Sequence, residues 1–315
     1  MRFHLDYTPE KSRINITNSN KVMLIGSCFS ENIGDRLRTH KFKTLLNPNG
    51  ILFNPASIAA ALDTMMATET VNDKHILNRD GLFYSFMHHS SINATSQNEL
   101  IKKITEINKQ AADFLKNADI LLLTFGSAFA YRHLQLNKTV ANCHKQPGST
   151  FEKKLLSVEQ ITKNYSVLIQ HLQLFNPDLK IIFTVSPVKY LKDGITENNL
   201  SKSVLLLSVH ELVKKFSNCE YFPAYELVND DLRDYRFYKE DLAHPNEQAI
   251  NYVWEKFSDC YFDEKTKNLN DKIHKLNLAL RHRTMNTGSE ETKKLEDFIS
   301  KQKDEIRKVN PKIEF

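Results

Sequence analysis

Four residues of this chain have the types and spacing that acyl chemistry needs: Ser27 and Cys28 near its beginning, Asp241 and His244 far downstream. Ser27 and Cys28 close the run Val22-Met23-Leu24-Ile25-Gly26-Ser27-Cys28-Phe29. An apolar run that meets a glycine and then continues through Gly34 predicts a buried strand, a sharp turn and a helix starting on that turn. A side chain there lies off the carboxyl edge of a sheet, where open α/β folds bind ligands. The helix start offers unpaired N–H groups and the positive end of a dipole, which favour a thiolate or a developing oxyanion. The Cys28 thiol is therefore expected to ionise more easily than a free one. Asp241-Leu242-Ala243-His244-Pro245 supplies an acid and a base three positions apart, near enough on a turn to reach one pocket. Nucleophile, His and an orienting Asp are the parts of a hydrolytic triad. Each also has a plainer role: Cys28 as a small residue packing a turn, Asp241 as a cap and His244 as the entry to a helix.

Other polar residues are candidates for binding. His144 and Lys145, in Asn142-Cys143-His144-Lys145, suit an anionic or carbonyl group, or simply a polar loop at the sheet edge. Arg236, in Arg233-Asp234-Tyr235-Arg236 just before the Asp241–His244 pair, suits a substrate carboxylate or phosphate; a surface ion pair is the equal alternative. His88 and His89 point opposite ways on a strand and so are poor partners for one metal ion. His89 is better placed to line a substrate pocket. No HExxH, Cys cluster or acidic calcium loop occurs, and Gly26 to Gly34 fits neither nucleotide-binding glycine pattern. No metal and no cofactor is expected.

The same segments carry a family resemblance. Gly26-Ser27-Cys28-Phe29 resembles the signature of the GSCFA domain family, which in outline resembles esterases of the SGNH/GDSL type. Asn47-Pro48-Asn49-Gly50-Ile51-Leu52-Phe53-Asn54-Pro55, Thr124-Phe125-Gly126-Ser127-Ala128, Asn142-Cys143-His144-Lys145, Val185-Ser186-Pro187-Val188 and Arg233-Asp234-Tyr235-Arg236-Phe237-Tyr238 also resemble family segments, in the family's order. The resemblance covers about residues 1 to 262. Laid on a Gly-Asp-Ser turn, Gly26-Ser27-Cys28 puts Cys28 in the nucleophile's place and Ser27 where the Asp would stand. An Asp-x-x-His near the end of the domain implies Asp241 and His244 as the remaining triad members. Gly50 resembles the glycine that gives a second backbone N–H to the oxyanion hole, and is otherwise an ordinary turn residue. The Asn that such enzymes place after a third strand is missing here; Ser127 or Asn142 would stand in for it. The implied activity is hydrolysis or transfer of an acyl group on a small ester or an O-acylated carbohydrate. The missing Asn and the Ser-to-Cys exchange favour the alternative, a non-catalytic ligand- or partner-binding module whose tail would recruit a partner.

The elements that must position these residues are legible as pattern. Val22 to Ile25, Ile120 to Thr124 and Ile181 to Val185 are short apolar runs without alternation, as parallel strands covered on both faces require. Helical stripes lie between and after them, at Ala56 to Met66, Glu99 to Leu115, Val158 to Leu174, Ser203 to Phe216 and Glu247 to Phe257. Strand and helix in alternation predict a three-layer α/β/α fold with a mainly parallel sheet, flavodoxin-like and, by the resemblance, SGNH-hydrolase-like. Val71 to Asn93 reads as an inserted loop or hairpin turning at Asn78-Arg79-Asp80-Gly81. From Asp263 the chain changes character, with thirteen Lys and Arg against ten Asp and Glu and two helical stripes separated at Asn286-Thr287-Gly288-Ser289. Domain limits of 1–262 and 263–315 follow, the second a charged helical extension suited to packing on the first domain or to self-association.

Composition bounds the rest. The 315 residues are 41% hydrophobic and contain 19 Phe, enough for a packed core. A net charge of +5 without basic clustering gives no nucleic-acid footprint. No run is long and apolar enough for a membrane span. Four scattered cysteines without a CxxC pair suggest a reduced, cytoplasmic setting.

Overall fold

The computed structural model describes residues 5–67, 73–281, 290–311 and 313–315. Its centre is a five-stranded, wholly parallel sheet. In chain order the strands are β1 (Lys21–Gly26), β2 (Lys43–Leu46), β6 (Ile120–Phe125), β10 (Lys180–Val185) and β11 (Cys219–Tyr221). They lie side by side as β2-β1-β6-β10-β11. The order reverses between β1 and β6, the switch point at which doubly wound sheets leave a crevice outside the carboxyl ends of their strands.

The three central strands are unbroken apolar runs because both sheet faces are covered. Met23, Ile25, Leu121, Leu123, Phe183 and Val185 face one layer, made by α2 (Pro55–Ala67), α3 (Gln97–Lys116), α4 (Val158–Phe175) and α5 (Ile195–Lys215). Val22, Leu24, Ile120, Leu122 and Ile182 face the other, made by α1 (Cys28–Thr39) and α7 (Glu247–Tyr261). Local chemistry starts the helices: Ser157 and Gln160 form a reciprocal capping box on α4, Ser96 caps α3 and Asn246 caps α7.

Two antiparallel sheets are inserted around the carboxyl edge. The first joins β3 (Ile76–Arg79), β4 (Leu82–Ser85) and β5 (Asn93–Ala94). Its hairpin turns at Asp80-Gly81, both with positive φ, as the turn signal there predicts. The second joins β7 (Phe129–His133), β8 (Lys138–Val140) and β9 (Phe151–Leu155), and has no counterpart in the sequence reading. Helix α5 also begins eight residues earlier than its apolar stripe, because its first turns bury the polar residues Asn198, Ser201 and Lys202 instead of apolar ones.

After β11 come the short α6 (Ala224–Glu226) and a π turn at Leu227–Leu232. The chain ends in α8 (Glu264–Arg281) and α9 (Glu290–Val309). They close a small core of their own, Leu269, Ile273, Leu276 and Ile306. Polar contacts dock α8 on the main domain: Asn18 donates to Asn270 at 3.2 Å, Asn277 donates to the Thr39 carbonyl at 2.9 Å, and the His40 ring lies between Trp254 and His274. The break expected at Asn286-Thr287-Gly288-Ser289 lies outside the described residues. Among the described residues no helix is long and apolar enough to cross a membrane.

Candidate active site

The turn after β1 is fixed by backbone geometry before any side chain acts. Gly26 has φ +152, and a Cβ there would sit 2.2 Å from the Thr124 carbonyl oxygen, so only glycine lets β1 turn this close to β6. The Gly26 N–H donates to the Asn47 side chain at 2.9 Å and its carbonyl accepts from Leu52 N–H at 3.0 Å. The Phe53 carbonyl accepts from Gly126 and Ser127 N–H at 2.8 and 3.0 Å. The segment from Asn47 to Phe53 therefore laces the ends of β1 and β6 together.

Ser27 and Cys28 take different roles on this turn. Ser27 is buried and caps α1, its Oγ accepting from Phe29 N–H at 3.3 Å. Cys28 is the first helical residue and only half-buried, so it is the more accessible of the two candidate nucleophiles. The expectation that its thiol ionises easily is corrected: burial first, and then the Glu31 carboxylate one turn along, push the thiol up. Its own N–H, that of Phe29 and the Lys202 ammonium pull the other way with less effect. A helix start lowers a thiol only where water still reaches it; here desolvation wins.

Asp241 and His244 form a pair with defined geometry. Asp241 Oδ2 lies 2.6 Å from His244 Nδ1, while Oδ1 accepts from Ala243 and His244 N–H, both at 2.9 Å. Those hydrogen bonds hold the carboxyl down at about 2. The carboxylate is thus ionised and oriented, and it directs the proton of His244 to Nδ1, leaving Nε2 as an acceptor. About half of each side chain is exposed, 49% and 44%. Lys189 N–H, just past the end of β10, donates to the Ala243 carbonyl at 3.1 Å and ties the loop to the sheet's carboxyl edge, while Lys239 N–H closes the loop on the His244 carbonyl at 2.7 Å.

The remaining candidates are placed less favourably for catalysis. Gly50 has φ +73 and is crowded by His89, but its N–H closes its own turn onto the Asn47 carbonyl at 2.8 Å. Ser127 Oγ is engaged, accepting from Phe129 N–H at 3.1 Å and lying 3.3 Å from Ser201 Oγ. Asn142 Oδ1 accepts from His144 N–H at 2.8 Å. The His144 ring is buried against Tyr84 and Phe86, with Nε2 2.8 Å from the Ser85 carbonyl, and burial drives it toward neutrality. Lys145 is exposed. His89 lines a cleft of about 460 Å³ with Glu31, Arg38, Asn47 and Gly50. Arg236 is exposed and faces Asp234 at 3.5 Å. A second cleft, about 880 Å³, lies between α2, α3 and the inserted sheets and has neither Cys28 nor His244 in its lining. Among the described residues no group of three or more His, Cys, Asp and Glu is placed to share a metal ion.

One residue at this edge was not singled out from the sequence. Lys202 of α5 is 2% exposed, and its Nζ donates to the carbonyls of Gly126 and Ser186, both at 2.6 Å. Beside it, Ser201 Oγ accepts from Ala128 N–H at 2.7 Å. One helix turn thus ties the ends of β6 and β10. A lysine inside an otherwise amphipathic helix reads as a surface residue; the cue available was that it sits with Asn198 and Ser201 where an apolar face should be.

The sequence model of the GSCFA family matches residues 21–257. No curated protein sequence matches the chain. Among solved structures, a family 3 carbohydrate esterase from Talaromyces cellulolyticus is 11% identical over 81% of this chain and 99% of its own, with a TM-score of 0.35. A family 3 carbohydrate esterase from Clostridium thermocellum is 11% identical over 80% and 98%, with a TM-score of 0.37. An acetyl xylan esterase from Butyrivibrio proteoclasticus is 10% identical over 79% and 64%, with a TM-score of 0.41.

Proposed function

This chain belongs to the GSCFA family, and we propose that it hydrolyses or transfers the acyl group of small O-acyl esters, with Cys28 as nucleophile, His244 as base and Asp241 as the residue that orients it. The observation that carries this reading is the Asp241–His244 pair, in which one carboxylate oxygen is fixed by two backbone N–H groups and the other meets His244 Nδ1 at 2.6 Å. A pair held this way, on the carboxyl edge that also bears the nucleophile turn, has the form of a general base.

In the proposed cycle Cys28 Sγ attacks the ester carbonyl and its proton passes to His244 Nε2. The carbonyl π pair moves onto oxygen, where the backbone N–H at the start of α1 meets the charge. Collapse breaks the C–O bond, and His244 returns the proton to the leaving alcohol. Water, deprotonated by His244, then attacks the thioester and releases the acid and the Cys28 thiol. An acceptor alcohol in place of water makes the same cycle a transfer. O-acetylated carbohydrate is the substrate class that the family likeness implies.

A non-catalytic binding module is the second reading, favoured by the upward push on the Cys28 thiol and by the engaged Gly50 N–H and Ser127 hydroxyl. Turnover of p-nitrophenyl acetate and acetylated sugars separates them. The enzyme reading expects Cys28→Ala to lose at least ~1,000-fold in kcat/KM and Ser27→Ala to retain measurable turnover. The reverse pattern would make Ser27 the nucleophile, and a wild-type protein inert on every ester would leave the binding reading.

A further inference from the structure

A lysine ammonium removed from water ordinarily has a carboxylate beside it, because an uncompensated buried charge is costly. Lys202 has none: among the described residues its Nζ is satisfied by two carbonyl oxygens, Gly126 O and Ser186 O, and by no acid. Gly126 follows β6, which borders the switch point, and Ser186 follows the neighbouring β10. Gly126 packs against the nucleophile turn, since a Cβ on it would come within 3.2 Å of Ser27 Cβ. Two carbonyls use two of the ammonium's three donors. The titratable and charged groups bearing on Cys28 from the packed elements are Glu31 of α1 and Lys202 of α5; Glu31 also acts on His89, across the cleft. Glu31 opposes a thiolate and Lys202 favours one. Conversely, Cys28 is the ionisable side chain that acts on Lys202.

We propose that Lys202 is a positioning residue of the nucleophile turn: pinned by the two strand-end carbonyls, its ammonium supplies the counter-charge that makes a thiolate at Cys28, and the oxyanion that follows it, attainable inside the fold. The inference rests on Cys28 being the nucleophile. Against a thiol pushed up by desolvation and by Glu31, Lys202 sets a fixed positive charge that offsets part of the push. Burial lowers Lys202 itself to about 7 while Cys28 raises it, so a charge on either group favours the opposite charge on the other. With one proton lost, the pair is either a thiol beside an amine or a thiolate beside an ammonium, and the two carbonyls accept hydrogen bonds best from the ammonium. A mere strut between β6 and β10 would need only the donors, not the charge.

The test reads thiolate formation, not ester turnover, so that it stands apart from the enzymatic reading. The rate of Cys28 carbamidomethylation by iodoacetamide, followed by peptide mass spectrometry against pH, gives the midpoint of thiol ionisation. Lys202→Met should move that midpoint up by about one unit and slow labelling near pH 7.5 about tenfold. Lys202→Arg, which keeps the charge, should stay within about threefold of wild type. A folded Lys202→Met protein with an unmoved midpoint overturns the proposal, as does a wild-type Cys28 that resists labelling up to pH 10. If neither lysine variant melts cooperatively, 13Cε-lysine NMR on the wild-type chain and Cys28→Ala decides. The Lys202 ammonium should persist to higher pH in wild type than in Cys28→Ala, and superimposable titrations overturn the proposal. A protein that behaves as expected here yet turns over no ester would retract the enzyme reading alone.

Discussion

Ser27 and Cys28 stand at the end of a strand buried along its length, whereas Asp241 and His244 stand on a loop with about half of each side chain in water. The two regions manage charge in opposite ways. At the nucleophile turn burial dominates, raising Cys28 and lowering Lys202 to about 7, so each group is driven toward its neutral form. At the loop, hydrogen bonds dominate, and three donors keep Asp241 ionised down to about 2. Charge is thus scarce where the bond would form and secure where the proton would be received. The buried region also carries the fold, through the contacts of Gly26, Asn47, Phe53 and Gly126. The loop carries little of it.

The largest effect separates catalysis from folding on these grounds. His244→Ala should reduce ester turnover by at least ~1,000-fold, yet shift the melting temperature by less than about 2 °C, because a half-exposed imidazole contributes little burial. Asp241→Asn should fall between wild type and His244→Ala in turnover, since the Ala243 and His244 N–H groups still find an oxygen while the imidazole loses its charged partner. Steady-state kinetics beside calorimetry measures both. A His244→Ala protein that loses stability along with activity would show that the loop belongs to the buried region and break the contrast.

That contrast also explains what was legible in the sequence. The central strands and most helices could be read because a parallel sheet covered on both faces needs uninterrupted apolar runs, and β1, β6 and β10 have them. The edge strands β2 and β11 are three or four residues long and partly exposed, too short for a pattern. The β7–β9 sheet was hidden because its half-buried strands mix Tyr, Arg, Lys and Glu. Asp241 and His244 could be paired from spacing because a turn brings positions three apart together. Lys202 could not, because its partners are carbonyls 76 and 16 residues away and no spacing rule encodes them. The thiol of Cys28 was misjudged for a related reason: a helix start is visible in sequence, and its burial is not.

Acid should separate the two regions next. Burial lowers His88, which lines the 880 Å³ cleft with Nδ1 3.0 Å from Ser85 Oγ, to about 4, and lowers His144 and His40 as well. Between the unfolded value of 6.5 and the folded value near 4, the unfolded chain binds the extra proton, so stability is full above 6.5 and is lost as pH falls through this window. His88 alone accounts for up to ~3 kcal/mol of that loss, at 1.36 kcal/mol per pKa unit. Asp241 is shifted in the same direction but in a lower window: its stabilising contacts are intact above 3.8 and are lost only as pH drops through about 2. Denaturant unfolding between pH 7 and 4 should therefore show a steep decline, flattened in His88→Gln, with no further break that Asp241→Asn removes in this range. A flat profile in wild type would mean that His88 finds a proton-accepting partner in the fold.

The smallest effect lies between the two loop residues themselves. Leu242 has φ +56, half exposed, between Asp241 and His244. A left-handed leucine costs roughly 1–2 kcal/mol relative to glycine, and a glycine there adds about 0.5–1 kcal/mol of unfolded-chain entropy to be lost on folding. The terms nearly cancel, so Leu242→Gly should alter stability by no more than ~1 kcal/mol, in the stabilising direction if either. Its effect on turnover has a different origin. The positive φ is what turns the Ala243 and His244 N–H groups back onto Asp241 Oδ1, each at 2.9 Å. Glycine permits this conformation but also others, so the pair is less pre-organised and kcat should fall by a few-fold with KM unchanged. Leu242→Asn, which tolerates left-handed backbone better than leucine and is stiffer than glycine, should recover most of that loss. If Leu242→Gly instead destabilises the protein by several kcal/mol, the leucine side chain has a packing role, and the loop is built like the buried turn and not in contrast to it.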